Sequence, residues 1–458
     1  MPDGQSPKED RNPGRPAPGQ PAPERPAPER PAPGRPAPEL LAPAGTPRKL
    51  EAAFHFGADA AYLGLKEGSL RAFAGNFTLE ELEWALGYAR ARQKRIYVCL
   101  NLQPFDDDLD RVGRMLRDLA RLRPDGLIVA DPGVVELARQ LAPSLPLHLS
   151  TQASVTNAAA ARFWFTQGVT RIVVARELSL DRIRQVVDGA PPRCEIEVFA
   201  HGAVCVAYSG RCLLSLYWAG RNRKGERPER DPRRGSCAQG CRWAYSRMAV
   251  EDARRPGQWN PVEEDERGTY FFDAKDLCAL PLLDELVSTG VRSLKLEGRT
   301  RSIHSVAVTV DVYRHALDRL AAGDREGFLA EVPRYLDELA RPAYRGFSTH
   351  FLGGDENALS SYNPEGSYRD GRAGYLGDVV AADPEGLWVQ LVNPLEPGAE
   401  VEVRDAGLLC ERARVERLES RDGALLGRAL SGSVIRIPGR FRALPGALVR
   451  PMLSSDSR

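Results

Sequence analysis

Four cysteines in one stretch of this chain have a spacing that can bind a metal. Cys205, Cys212, Cys237 and Cys241 are separated by six, 24 and three residues. Two close pairs joined by one loop can converge on a single centre, because each short spacing lets two thiolates reach the same point. Four thiolates suit either a zinc ion or an iron–sulfur cluster. Buried or disulfide-bonded cysteines are the alternative without a metal, and the spacing alone leaves zinc and iron open.

A second group of candidate residues follows apolar runs that predict strands. Arginine and lysine side chains there can bind carboxylates, and arginine does so through two parallel hydrogen bonds. Amide side chains can read the edge of a uracil base or bind backbone. The histidine can donate a proton, support the metal site or fill the core, and a structural ion-pair network is the alternative for the charged residues. The group comprises Asn101, Gln152, Arg176, Glu177, His201, Lys295, Glu297 and Arg299.

The segment between the two cysteine pairs is basic. Residues 221–242 contain eight basic and three acidic residues, with Trp218 and Trp243 at the edges. Positive charge attracts phosphate and aromatic rings stack on bases, so the segment is a candidate RNA contact, with a solvated surface loop as the alternative. The candidate phosphate-binding residues are Arg223, Lys224, Arg233 and Arg234.

Eight apolar runs, separated by segments of helical period, predict the main architecture. Helical segments such as 77–93 and 178–187 begin after Thr or Ser caps. Near-continuous apolar strands alternating with helices predict a (β/α)8 TIM-like barrel, and a doubly wound open sheet is the alternative. The eight predicted strands are 39–43, 60–64, 95–101, 126–131, 147–151, 171–177, 195–201 and 293–299. The barrel favours the candidate group, because barrel active sites lie at strand C-termini.

The predicted domains divide the chain as follows. Residues 1–38 form a Pro/Ala-rich tract expected to be disordered, since it has almost nothing apolar to bury. The barrel covers 39–340, with a cysteine-bearing insertion at about 203–292 over its mouth. Within the insertion, 245–252 and 268–274 are predicted to pair as a hairpin, and 276–290 to form a helix. A linker at 341–374 precedes a small C-terminal β-barrel domain at 375–455.

Composition limits the class of protein. The net charge is +1 over 458 residues, so no overall charge dictates a partner. The chain has no apolar run of roughly 18 residues and no signal-peptide core, which predicts a soluble cytoplasmic protein without a membrane partner. Clustered cysteines favour metal binding in a reducing compartment. Cys99, Cys194, Cys278 and Cys410 lack partners at ligand spacing and are expected to be structural.

Several blocks resemble one known family. The run from Glu197 to Ser215 looks like the signature of the U32 family, long called peptidases or collagenases. Further similar blocks occur in the expected order, and 251–259 with 265–277 resembles the prephenate-dependent tRNA wobble-uridine hydroxylase branch. The other similar blocks are ELLAPAG at 39–45, ADAAYLG at 58–64, LIVADPG at 127–133, HLSTQASVTN at 148–157, ARELSL at 175–180 and SLKLEGR at 293–299.

The resemblance implies a cofactor, a co-substrate and a reaction. It implies a [4Fe-4S] cluster on the four clustered cysteines, and oxygen-independent hydroxylation of C5 of the wobble uridine in the tRNA anticodon loop, giving 5-hydroxyuridine. Prephenate, which has two carboxylates, would be the co-substrate. Hydroxylation of a ribosomal RNA base or a quinone precursor is the alternative within the family. A U32-type protease and a non-catalytic RNA-binding protein with structural zinc are alternatives of other classes.

Overall fold

The structure is a computed structural model. It describes residues 37–66, 75–204, 274–342, 346–354 and 374–452, together with the backbone of four short strands between residues 249 and 269. Within these residues, every helix is too short or too polar to cross a membrane.

Eight parallel strands close into a barrel, as the sequence predicts. Each strand pairs with the next, and the eighth, Ser293–Leu296, pairs with both the first and the seventh. We label this last strand β13, because five short strands of the insertion precede it in the chain. The other seven are β1 (Glu39–Pro43), β2 (Ala60–Gly64), β3 (Arg95–Leu100), β4 (Gly126–Val129), β5 (Leu147–Leu149), β6 (Val169–Val173) and β7 (Glu195–Gly202).

Helices follow the strands and pack on the outside of the barrel. Thr78 caps one of them through a reciprocal pair of hydrogen bonds with Glu81, and Ser179 caps another, so both predicted caps are confirmed. The helices are α1 (Pro47–His55), α2 (Leu79–Arg90), α3 (Leu109–Leu122), α4 (Pro132–Leu141), α5 (Ala158–Thr166), α6 (Leu180–Gly189), α7 (Leu283–Ser288), α8 (Ile303–Ala321) and α9 (Arg325–Leu339).

The insertion pairs its strands differently from the sequence prediction. The described strands are β8 (Ala249–Glu251), β9 (Trp259–Pro261), β10 (Glu264–Asp265) and β11 (Gly268–Thr269). β8 pairs with β9, and β10 with β11, so the expected hairpin between 245–252 and 268–274 is wrong. Each strand pairs with a nearer segment, for which closing the loop costs less entropy.

The predicted helix at 276–290 is also wrong over its first half. Asp276–Cys278 forms strand β12, which pairs antiparallel with the end of β7. A 3-10 turn at Leu280–Leu282 follows, and the α-helix begins only at Leu283. Pro281 explains the delay, because proline lacks an N–H and disfavours helical geometry in the residue before it. A two-residue strand, β14 (Phe347–Ser348), extends the sheet beyond β12.

The C-terminal part is an eight-stranded antiparallel sheet around one core. Its apolar side chains alternate with exposed ones, and Val389, Val403, Ile435 and Val449 meet in a single cluster. The strands are β15 (Gly377–Asp383), β16 (Gly386–Leu391), β17 (Glu400–Asp405), β18 (Leu409–Arg414), β19 (Leu418–Glu419), β20 (Leu425–Leu426), β21 (Val434–Pro438) and β22 (Leu448–Pro451).

Buried charges join this sheet to the barrel helices. Arg404 on β17 is buried and donates to the Asp311 carboxylate on α8 at 3.0 Å. The same carboxylate accepts the backbone N–H groups of Gly407 and Leu408. Arg450 on β22 similarly binds Glu338 on α9. The interface is therefore specific, because each buried charge requires its partner.

Candidate functional site

Charged side chains converge at the mouth of the barrel, by which we mean the C-terminal ends of β1–β7 and β13. Tyr62 on β2 is buried there, and its hydroxyl donates to the Leu296 carbonyl at 2.9 Å. Burial raises the pKa of Tyr62; Glu297 raises it further, whereas Arg299 and Arg176 lower it. The charges of Glu297, Arg299 and Arg176 all act on the ionisation of the Tyr62 phenol, so these three predicted residues lie in the same region of the structure.

Arg176 is held at this mouth by two contacts. Its Nη1 donates to the Ala203 carbonyl at 2.8 Å, and its guanidinium lies 3.8 Å from the centroid of the Phe199 ring. The Nε of Arg176 is buried and has no hydrogen-bond partner within the described ranges. Glu177, the next residue, is half-buried. Arg176 therefore retains an unused buried donor beside the point where the chain enters the insertion.

Arg299 lies above the same phenol. Its side chain is almost fully buried, and its guanidinium is 5.9 Å from the Tyr62 ring centroid. Lys49 of α1 donates to the Arg299 carbonyl at 3.0 Å, which fixes the backbone after β13. A low-dielectric site strengthens the attraction of such a guanidinium for an anion.

A β-bulge turns His201 away from this group. β7 and β13 pair in register up to Phe199 and Lys295, after which Leu296 pairs with His201 and Ala200 is the extra residue. The imidazole then lies against Tyr313 of α8 and Phe347 of β14, with centroids 5.6 Å away in each case. His201 therefore lies apart from the strand-end arginines, and its roles as a proton donor or as support for the metal site stay predictions.

His201 instead lies in a small polar pocket outside the barrel. Asp276 and Arg301, which bind each other at 2.6 Å, line this pocket with it. Burial lowers the pKa of His201 to about 4, with Asp276 opposing and Arg301 adding to the shift. The imidazole is neutral near pH 7, and its Nδ1 is buried, with no hydrogen-bond partner among the residues that the structure describes.

Lys295 is part of an ion-pair network within the barrel. Its Nζ donates to Glu197 at 2.8 Å and lies 4.5 Å from the Tyr62 ring centroid. Burial alone would raise the pKa of Glu197, but Lys295 and Arg171 outweigh it and lower the value to about 2. The structural alternative for Lys295 is therefore the better description, because its charge is already neutralised.

The network continues toward the N-terminal end of the barrel. Arg171 on β6 binds Glu39 at 2.6 Å and Glu197 at 3.3 Å, and Tyr97 donates to Glu39 at 2.8 Å. His148 packs edge-on against Tyr97, and burial, with Arg171, lowers the pKa of His148 to about 3. Charged groups thus line the barrel interior from its base to its mouth.

The two predicted amides meet at the mouth between β3 and β5. Asn101 Nδ2 donates to Gln152 Oε1 at 2.7 Å. Both residues follow strand ends, and the Gln152 side chain is buried. Asn101 Oδ1 and Gln152 Nε2 are also buried, and in the described part of the chain neither has a hydrogen-bond partner. The pair therefore has one unused acceptor and one unused donor.

The predicted cluster ligands and phosphate-binding residues lie outside the described residues. These are Cys205, Cys212, Cys237, Cys241, Arg223, Lys224, Arg233 and Arg234. In the described part, no group of three or more His, Cys, Asp or Glu side chains could hold a metal ion. The other four cysteines are unbonded thiols on separate elements. Burial raises the pKa of Cys194 and of Cys278 to about 11, so these thiols stay protonated and do not compete for metal.

Sequence reasoning missed the polar interior. Glu39, Tyr62, Tyr97, Arg171 and Glu197 all line it, yet each stands within an apolar run. The available signal was a charged or phenolic residue inside a strand that should be buried on both faces, which is costly unless the group is paired.

The fold and site define a (β/α)8 barrel with the polar, partly desolvated mouth at which barrel enzymes place their chemistry. The sequence model of Peptidase family U32 matches residues 45–361. The chain belongs to this family, as its motifs predict.

Named relatives are similar over most of their length. The chain is 38% identical over 350 residues to tRNA hydroxylation protein P of Escherichia coli, which covers 69% of this chain and 74% of the relative. It is 37% identical to tRNA hydroxylation protein P1 of Bacillus subtilis, covering 80% and 82%. The 23S rRNA 5-hydroxycytidine C2501 synthase of Escherichia coli is 31% identical, covering 79% of this chain and 51% of the relative.

Proposed function

We propose that this chain is a tRNA hydroxylase that converts the wobble uridine of the anticodon loop to 5-hydroxyuridine. The observation that carries this proposal is the similarity to two tRNA hydroxylation proteins over about three quarters or more of their length. In the proposed reaction the C5–H of uracil is replaced by C5–OH without molecular oxygen; this is a two-electron oxidation, and the co-substrate prephenate would accept the two electrons.

The mouth arginines supply the chemistry that a dicarboxylate needs. The charges of Arg176 and Arg299 both oppose the rise in the pKa of Tyr62. The buried Nε of Arg176 has no hydrogen-bond partner in the described part of the chain, so it is available to a ligand. Guanidinium groups bind carboxylates bidentately, and partial desolvation strengthens the contact. Glu297 beside them would repel a misplaced carboxylate and restrict the orientation of prephenate. We therefore assign prephenate binding to Arg176 and Arg299.

The cysteine chemistry fits a [4Fe-4S] cluster. Arg176 fixes the Ala203 carbonyl at the mouth, and Cys205 follows only two residues later. We assign the cluster to the four clustered cysteines because of their spacing and the family resemblance. When bound, such a cluster would supply one-electron redox chemistry beside the co-substrate site.

The basic segment is assigned to the RNA. Arg223, Lys224, Arg233 and Arg234 would bind phosphates of the anticodon arm, which provides affinity largely independent of sequence. We place this reaction in the cytoplasm, where clustered cysteines stay reduced.

The similarity to the rRNA hydroxycytidine synthase supports a second candidate substrate. Its similarity to this chain favours hydroxylation of a ribosomal RNA base as the alternative, by the same chemistry. Mass spectrometry of nucleosides separates the two. Cells lacking the gene should lose 5-hydroxyuridine and its derivatives from tRNA while their rRNA keeps its modifications. Loss confined to rRNA would overturn the proposal.

A direct assay tests the reaction itself. Anaerobic incubation of the iron-loaded protein with unmodified tRNA and prephenate should give 5-hydroxyuridine, and omission of prephenate should abolish it. About four irons per chain are expected, whereas one zinc per chain without iron would support a non-catalytic RNA-binding protein.

A further inference from the structure

A chain of hydrogen bonds at the mouth holds two amides in one orientation. The backbone N–H of Gln152 donates to Ser150 Oγ at 3.4 Å, and Ser150 Oγ donates to Gln152 Oε1 at 3.1 Å. Asn101 Nδ2 donates to the same Gln152 oxygen at 2.7 Å. Both lone pairs of this carbonyl are thereby used.

Ser150 binds the Gln152 oxygen in this arrangement. Its hydroxyl accepts from the backbone and donates its single proton to Gln152 Oε1. The remaining polar atoms of the pair are the acceptor Asn101 Oδ1 and the donor Gln152 Nε2, and both are buried without a hydrogen-bond partner among the described residues.

Burying two amide atoms without hydrogen bonds costs free energy, unless a ligand provides the missing partners. Buried amide groups are almost always hydrogen-bonded, and an unpaired one loses its hydration without compensation. Here the unused donor and acceptor flank a single hydrogen bond at the C-terminal ends of β3 and β5, where barrel enzymes bind substrate. Gln152 is only 4% exposed. A buried polar pair of this kind indicates a ligand with an adjacent donor and acceptor.

We propose that Asn101 and Gln152 read the imide edge of the target uracil. The uracil N3–H donates to Asn101 Oδ1, and Gln152 Nε2 donates to a uracil carbonyl oxygen adjacent to N3. Ser150 is a positioning residue, because its hydroxyl donates to Gln152 Oε1. The inference rests on the proposed function, since it names the residues that select the base at that site.

Uracil fits this pair in more ways than cytosine does. The N3–H of uracil has a carbonyl oxygen on each side, so a donor next to the acceptor finds a partner in either direction. In cytosine N3 is an acceptor and would face the Asn101 oxygen, unless the base shifts to present its exocyclic amine. A site that binds a polar group by hydrogen bonds rejects analogues that lack it.

The test compares anticodon stem-loop RNAs with uridine, 3-methyluridine or cytidine at the target position. Wild-type iron-loaded protein should prefer uridine over 3-methyluridine in kcat/KM by a factor of roughly a hundred or more. Asn101→Ala leaves room for the methyl group, so it should lose roughly tenfold to a hundredfold on uridine and show almost no preference. Gln152→Glu, which replaces the donor without changing size, should lose a similar factor on uridine.

Controls separate base reading from a structural role. Gln140→Glu makes the same chemical change on the exposed face of α4 and should leave kcat/KM unchanged. Ser150→Ala should reduce the preference for uridine over 3-methyluridine while iron content stays normal. Should Asn101→Ala not fold, the preference of Ser150→Ala for uridine over 3-methyluridine decides the question.

Two results would overturn the inference. In the first, Asn101→Ala loses equal factors on uridine and 3-methyluridine RNA, which would mean a structural role. In the second, Asn101→Ala raises the KM for prephenate and keeps the preference for uridine over 3-methyluridine, which would place the co-substrate at the amides. A wild-type protein that hydroxylates no RNA uridine overturns the proposed function itself, and the inference with it.

Discussion

Lys295 donates to Glu197 at 2.8 Å inside the barrel, and both side chains are almost completely buried. The charge of Lys295, on strand β13, is therefore paired inside the barrel, as the structural alternative for this residue expects. Arg171 binds the other carboxylate oxygen of Glu197, so the two cations share one anion.

Lys295→Met should destabilise the fold. It leaves Glu197 with Arg171 alone in the interior, and breaking a buried pair from one side costs about 3–5 kcal/mol in the free energy of unfolding. Urea denaturation measures this. Arg139→Met breaks a solvent-exposed pair with Glu136 and should cost less than about 1 kcal/mol. A folded Lys295→Met protein of normal stability that has lost prephenate binding would contradict the structural assignment.

Variants of the mouth arginines should lose turnover, whereas variants of the basic segment should lose tRNA affinity. Arg299→Ala or Arg176→Ala should abolish turnover or raise the prephenate concentration required, with tRNA affinity near normal, because Arg299 lies over Tyr62 and Arg176 over Phe199 at the barrel mouth. Neutralising Arg223, Lys224, Arg233 and Arg234 together should weaken tRNA binding and flatten its salt dependence, because fewer counterions are released.

Kinetics at saturating tRNA and binding titrations at several salt concentrations separate these two sites. Arg176 also holds the Ala203 carbonyl, so circular dichroism and cluster absorbance must first show that each variant is folded. Mouth variants that lose tRNA binding but keep their prephenate dependence would mean that the two sites are assigned the wrong way round.

The cluster cysteines should be separable from the structural ones. Replacing Cys205, Cys212, Cys237 or Cys241 by Ser should remove visible absorption and activity together, because an incomplete thiolate set holds iron poorly. Cys99→Ser and Cys410→Ser are the matched controls, since both thiols are unbonded and lie on separate strands. Iron and sulfide analysis of anaerobically purified protein provides the measurement. Equal sensitivity of Cys410 and Cys205 would contradict the ligand assignment.

His201 should make the protein sensitive to acid. Its pKa is about 4 in the fold, lowered mainly by burial, against an ordinary 6.5. The unfolded chain therefore binds more protons between these values, so this contribution to the free energy of unfolding is complete above pH 6.5 and is lost as pH falls toward 4. A shift of this size corresponds to roughly 3 kcal/mol.

His201→Gln should flatten the loss of stability between pH 6.5 and 4 in urea titrations at several pH values. His148 and His304, whose pKa values are lowered to about 3 mainly by burial, retain part of it. An unchanged slope in the His201 variant would show that its imidazole is not buried in the neutral form.

The Asp311–Arg404 pair should govern the attachment of the C-terminal sheet. Burial raises the pKa of Asp311 to about 6, while Arg404 opposes this shift. Arg404→Leu leaves the carboxylate with only backbone donors and should cost about 3–5 kcal/mol in the free energy of unfolding. Arg428→Leu, which breaks a pair with Glu396 in which both side chains are exposed, should cost less than about 1 kcal/mol. Similar urea midpoints for the two variants would contradict this account.

The sequence by itself determined the barrel and the family. Each barrel strand is a short apolar run, and burial on both faces allows little else, so the pattern predicts all eight strands. Caps such as Thr78 act within four residues of the chain, which makes helix starts readable as well. The strand ends also indicated which polar residues lie at the mouth, including Asn101, Gln152 and Arg176.

Only the tertiary structure decided which of those polar residues lie at the mouth, which lie in the interior network and which lie outside the barrel. The bulge at Ala200 sends His201 outward, and bulges depend on the partner strand rather than on local sequence. Glu197 was needed to show that Lys295 is neutralised, although the two are 98 positions apart. The short strand at Asp276–Cys278 exists because the end of β7 offers an edge for it to pair with. Pairing across long separations in the chain decides such features, and local periodicity does not encode it.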